Sequence, residues 1–169
     1  RVDAEVLARA VERGGIPMAH VLSPHRRELR RQIGIRRALV QTRANLVTTM
    51  RGLAREDGHK VPFSTTENFV QTARRTLDRA LLTLLEPLLV TLEVLEPQLA
   101  AIEEELGRLC TKEPIIAHLT TAPGVGGLIA ASFVSVIDDA TRFKNAHQVE
   151  SYIGLVPTEN TTGGRRRVG

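Results

Sequence analysis

Residues 77–110 read LDRALLTLLEPLLVTLEVLEPQLAAIEEELGRLC, and their spacing decides the class of fold. Leu77, Leu81, Leu84, Leu88, Leu92, Leu95, Leu99, Ile102, Leu106 and Leu109 follow one another at steps of three or four. An apolar stripe of that period is a heptad seam along one side of an α-helix. Pro87 and Pro97 sit inside it, each in a Leu-Glu-Pro context. An interior proline removes a backbone donor and costs ~3 kcal/mol, so each predicts a kink, with the helix resuming beyond it. A seam this long needs a cover. It predicts pairing with another long helix of the chain, with a second copy, or with both, and hence a dimer or higher homo-oligomer.

The cover within the chain lies upstream. A loop over 58–64 contains Pro62 and leads to Thr65 or Thr66 as the cap of the seam helix. Before that loop, Ser23 as N-cap and Pro24 at the first helical position open a helix running to about Asp57. Its apolar positions are Leu29, Ile33, Val40, Val47 and Met50, with a neighbouring stripe at Ile35, Leu39, Leu46 and Leu53. Residues 24–110 therefore predict an antiparallel helical hairpin. Val2–Arg13 reads as a short amphipathic helix closed by Gly14-Gly15.

The first hairpin helix carries Arg26, Arg27, Arg30, Arg31, Arg36, Arg37, Arg43, Arg51 and Arg55 against two acids, Glu28 and Glu56. That excess exceeds the needs of solubility and favours phosphate contact, with Arg30 and Arg37 as candidates. Across the chain, all but Lys60, Lys112 and Lys144 of the 23 basic residues are arginine, the net charge is +4 and the pI is about 10.0. Arginine suits bidentate phosphate recognition, although a GC-rich genome would also enrich it. Aromatic residues make up 3% with no Trp, which argues against a base-stacking platform. Cys110 stands alone, so neither a disulfide framework nor a zinc cluster is indicated, and it reads as a small core or interface residue. His20, His25, His59, His118 and His147 are scattered, and none is paired by spacing. No signal peptide is visible and no apolar run reaches ~18 residues, so a cytoplasmic protein without a membrane span is expected.

Downstream of the seam, a short helix over 115–120 meets the turn Pro123-Gly124-Val125-Gly126-Gly127, and a second apolar helix follows over 128–137. This helix–hairpin–helix pattern suits a grip on a nucleic-acid backbone. Glycines clear the side chains away, and N–H groups at a helix start can meet a phosphate. The same pattern also serves as a purely structural turn. Asp138-Asp139 ends the helix, and Asn145 caps another through Tyr152. The chain then reads Gly154-Leu155-Val156-Pro157 and, after Glu159, Asn160-Thr161-Thr162-Gly163-Gly164-Arg165-Arg166-Arg167. It opens on Arg1 without Met and closes just past the basic run, which suggests a fragment of a longer protein.

Taken together, PGVG, RF, YIGLVP and the Gly-Gly-Arg-Arg-Arg tail resemble the C-terminal domain of IS110/IS116/IS902-type transposases. The resemblance extends to the coiled-coil segment that precedes that domain in the family. It implies three parts: 1–22 as the end of a RuvC-like domain and linker, 23–112 as the hairpin, and 113–169 as the transposase domain. The implied fold is mostly α, a long antiparallel hairpin followed by a small helical domain. The implied activity is DNA cleavage and rejoining during transposition. The family's serine nucleophile aligns with Thr162, and Arg165, Arg166 and Arg167 would neutralise the attacked phosphate. Asp3 aligns with the last acidic residue of the RuvC-like site, whose four carboxylates hold Mg²⁺. Spacing alone reads Asp3 as a helix-start acid and Thr162 as part of a polar turn. DNA, a structured guide RNA and further copies of the chain are the implied partners. A rival expectation is a non-catalytic coiled-coil scaffold that binds duplex through Gly124–Gly127 without reading sequence.

Overall fold

The structure, a computed structural model, describes residues 2–14 and 19–155, and the regular elements among them are helical. They are α1 (Val2–Glu12), α2 (Pro24–Glu56), α3 (Phe69–Thr76), α4 (Arg79–Thr111), α5 (Pro114–Leu119), α6 (Gly127–Ile137) and α7 (Ala146–Tyr152). A 3₁₀ turn at Ala140–Arg142 lies between the last two.

α2 begins as its sequence dictates. Ser23 Oγ accepts from the Arg26 N–H at 3.3 Å, and Pro24 takes a first-turn position where no backbone donor is needed. At the other end Gly58 adopts φ +77°, which lets the His59 N–H return to the Ala54 carbonyl at 2.8 Å. α4 then runs back along α2. Arg36 pairs with Glu103 at 2.6 Å and Arg43 with Glu96 at 3.3 Å, so each step forward on α2 is a step back on α4. The hairpin is antiparallel.

Its far half holds the larger core. Leu81, Leu85, Leu89, Leu92 and Leu95 are buried against Val47, Met50 and Ala54 of α2 and Phe69, Val70 and Ala73 of α3. At ~1.5–3 kcal/mol for each fully buried leucine, this seam is the main stabilising feature of the hairpin. Within the chain α2 and α3 cover Leu81, Leu85, Leu89, Leu92 and Leu95, so no second copy is needed to bury these five residues.

Two expectations change. The predicted seam helix is two helices: Leu77 is extended (ψ 150°), and Asp78 Oδ1 accepts from the Leu81 N–H at 2.8 Å to start α4 afresh. A heptad count cannot see this break, because Leu77 stays buried on the same face. The seam also turns. Leu84 is 68% exposed, while Leu85 and Leu89 are at 1% and 0%. The reason is α3, which lies on that flank of α4 and fastens there through Arg74, whose guanidinium reaches Glu86 (3.0 Å) and Glu93 (3.3 Å). α4 runs as one helix through Pro87 and Pro97.

The near end of the hairpin has its own core, where Leu29 and Leu106 meet Ile116, Ala130, Ala131 and Val134. Ala130 and Ala131 are buried and small, so α6 can lie close against α2.

Candidate nucleic-acid interface

The glycine turn forms as its sequence requires. Gly124 adopts φ +81°, the left-handed region that glycine enters without strain. The Val125 N–H donates to the Ala122 carbonyl at 3.1 Å, and the Val125 side chain packs on the near-end core. Gly126 is the N-cap of α6 and offers no side chain to its first N–H groups. No atom lies within 4 Å of where a Cβ would sit at Gly124, Gly126 or Gly127. An anchored turn thus leads into a helix start that no side chain caps, with open space on the Cβ side of its glycines.

Beside it, Gly127 and Leu128 share a cleft with Arg36, Glu103 and Gly107. Arg36 and Leu128 also line a larger groove of about 530 Å³ between α2 and α6, together with Arg30, Arg37, Gln41 and Ser132. The predicted pair Arg30 and Arg37 therefore lines a groove that adjoins the start of α6 at Leu128. They are seven residues apart on one helix, roughly 10 Å.

The other arginines of α2 divide sharply. Arg26 pairs with Glu113 at 3.0 Å, Arg31 with Glu28 at 3.3 Å, Arg36 with Glu103 and Arg43 with Glu96, while Arg51 lies 5.3 Å above the Phe69 ring. Arg27, Arg30, Arg37 and Arg55 make no ion pair among the described residues, and all four are exposed. Three of those four lie in the first half of α2. The nine-arginine helix is thus a partly neutralised rod with a charged patch at its near end.

A polar clasp holds that end together, and no local pattern in the chain points to it. Asp138 closes α6 in a γ-turn, φ +62° and ψ −76°, with the Asp139 N–H donating back to the Ile137 carbonyl at 2.9 Å. Such a turn is rare and strained. The Asp138 carboxylate accepts from the Ser23 N–H (2.9 Å), the Ser23 hydroxyl (2.8 Å) and the His20 ring (2.8 Å), fixing α6 to the start of α2. Burial disfavours its charged form, but these hydrogen bonds outweigh burial and hold its pKa at about 2. Glu113 takes both Arg26 and His25 on the neighbouring side. Arg142 donates to the Ile137 carbonyl at 3.1 Å and lies over both the Phe143 and Tyr152 rings, which meet edge to face, tying α7 to the same corner. His20, His25 and His59, unpaired by spacing, each find a carboxylate in the fold, His59 meeting Asp78 at 2.9 Å. His118 and His147 are exposed, and Cys110 is half-buried against the near-end core.

Asp3 lies in the first turn of α1, and its side chain is outside the described residues, as are Thr162 and Arg165–Arg167. Among the described residues no group of three His, Cys, Asp or Glu could hold a metal ion. No helix of the described residues is long and apolar enough to cross a membrane.

Residues 116–169 match the family described as Transposase IS116/IS110/IS902. A probable family 20 transposase of Pseudomonas aeruginosa is 26% identical over 99% of this chain and 52% of its own length. The transposase of insertion sequence element IS1111A from Coxiella burnetii is 26% identical over 98% of this chain and 47% of its own. A putative transposase of Sinorhizobium fredii is 25% identical over 99% and 44%. The chain thus spans about half the length of the curated relatives it matches. No solved structure gives a significant match. The family's own domain thus covers the C-terminal third of the chain, transposases align along nearly all of it, and the chain is similar to a fragment of an IS116/IS110/IS902-type transposase.

Proposed function

We propose that this chain is the DNA-gripping part of an IS110-type transposase that cuts and rejoins strands during transposition of its element. One observation carries the reading: Arg30 and Arg37, without ion pairs among the described residues, line a groove that adjoins the uncapped start of α6 through Arg36 and Leu128. A helix start supplies backbone donors and dipole, and arginine supplies the compensating charge, a combination suited to phosphate. With no aromatic residue lining that groove, binding would follow the backbone and not read base sequence.

The chemical step belongs to the tail. Thr162 Oγ would attack a DNA phosphodiester, forming an Oγ–phosphorus bond as a sugar oxygen leaves with a proton. Arg165, Arg166 and Arg167 would neutralise the phosphate during that attack. The covalent link keeps the bond energy for rejoining. Mg²⁺ would activate this chemistry in the whole protein, with Asp3 as one ligand; Asp3 alone makes no site. A guide RNA, the element's ends and further copies of the chain complete the reading, in the cytoplasm. Self-association would use surfaces other than the buried leucines of α4, which α2 and α3 already cover.

Gly126→Val is the clean test, because Gly126 has φ −82° and open space around it, so valine fits the fold and only obstructs access. Binding to unrelated duplexes should weaken by the same factor. Unchanged binding, or a loss confined to one sequence, would leave the turn a purely structural element. A protein that binds duplex yet never forms an adduct would favour the non-catalytic scaffold.

A further inference from the structure

The groove and cleft beside α6 are lined by four charged side chains, and one has the wrong sign for a polyanion. Arg30, Arg36 and Arg37 line the groove, and Arg36 also lines the adjoining cleft together with Glu103. Among the described residues Glu103 is the one acid lining either depression. Its neighbours Glu104 and Glu105 are both taken by Arg108, at 2.8 and 3.1 Å.

Glu103 holds Arg36 through a single oxygen. Arg36 Nε and Nη2 donate to Oε1 at 2.9 and 2.6 Å, so the guanidinium fork meets one acceptor where a phosphate would offer two. The carboxylate side chain is 46% exposed, and an ion pair open to water is weak. Bracing the hairpin does not require this pair, because an equivalent one stands nearby. Arg43 and Glu96 lie seven residues along α2 and α4 from Arg36 and Glu103. They pair at 3.3 Å, are less exposed at 18% and 27%, and line neither depression.

We infer that Glu103 limits the grip of the groove on nucleic acid. It repels phosphate directly, and it keeps Arg36 from joining Arg30 and Arg37 as a third phosphate contact. Affinity differences within one interface lie mostly in the dissociation rate, so Glu103 hastens release of a bound duplex. This rests on the phosphate reading of the groove proposed above and names the residue that regulates it.

The test measures binding of unrelated duplexes by the full chain over a range of salt. Glu103→Gln keeps the shape of the side chain and removes its charge. It should raise affinity by about threefold to tenfold, mainly through slower dissociation, and steepen the salt slope by about one as Arg36 takes a phosphate. Glu103→Ala, equally compatible with a helix, should do the same, with helix content checked by circular dichroism. Arg36→Ala added to Glu103→Gln should remove both effects. Glu96→Gln changes net charge equally and should leave the slope as it is. A rise from Glu103→Gln no larger than that from Glu96→Gln, or one that survives Arg36→Ala, overturns the inference. Arg30→Ala with Arg37→Ala then tells two failures apart: a flattened slope keeps the groove, and an unchanged slope removes the groove as well.

Discussion

The far half of the hairpin, from Val47 to Leu95, and its near end around α6 are built from different materials. The far half is leucine on leucine, with Arg74 and Arg43 committed to acids of α4 and Arg51 laid over a buried ring. The near end joins its helices through small residues, Ala130 and Ala131, and a polar clasp at Asp138. It leaves Arg27, Arg30 and Arg37 without acidic partners among the described residues. One helix, α2, runs through both. Residue type therefore does not decide the role of an arginine here; the residue facing it across the hairpin does.

Breaking the comparison at its chemical end should give the largest effect. In the full-length protein with Mg²⁺ and its element ends, Thr162→Ala should abolish the covalent protein–DNA adduct. DNA affinity should stay within a few-fold, since one neutral hydroxyl contributes only ~0.5–1.5 kcal/mol. Thr162→Ser should keep or raise activity, and Thr161→Ala, run alongside, should form adduct normally. Adduct at the wild-type rate from Thr162→Ala would remove that residue from the chemistry.

The next effect lies in the far half. Leu89→Ala should cost ~2–5 kcal/mol in urea unfolding, because it opens a cavity in a fully buried seam. Leu84→Ala, on the same helix but exposed, should stay within about 0.5 kcal/mol. Equal costs would contradict the turned seam.

The clasp should give a smaller, pH-dependent signature. The folded pKa of Asp138, about 2, lies below its ordinary value of 3.8. Its contribution is therefore complete above pH ~4 and disappears as pH falls through about 2. Once solvent screening is allowed for, that contribution is on the order of 1 kcal/mol. Comparing Asp138→Asn with wild type across pH 2–5 should show the stability gap close as pH drops. A gap independent of pH would mean the clasp works through shape alone.

Much of this architecture is legible in the chain. Ser23-Pro24, Gly58 and Asn145 mark helix ends by local chemistry, and each does so in the fold. The leucine period predicts the hairpin, but not which flank of α4 is covered, because α3 docks through Arg74 on residues twelve and nineteen positions away. The clasp is illegible for the same reason at greater range: Ser23 and Asp138 are 115 residues apart. In sequence, Asp138-Asp139 is an ordinary helix stop. Counting arginines on α2 overstates the free positive charge of that helix, since pairing with Glu96, Glu103 and Glu113 arises only once the chain folds back.

The claim that unpaired arginines grip phosphate while paired ones brace the hairpin has one direct measurement: the slope of log affinity against log salt for duplex binding by the full chain. Arg30→Ala with Arg37→Ala should reduce its magnitude by about two, roughly one for each phosphate no longer neutralised. Arg43→Ala with Glu96→Ala, which removes a braced pair together, should leave it unchanged. Equal slopes for both double variants, or a slope moved only by the braced pair, would contradict the account.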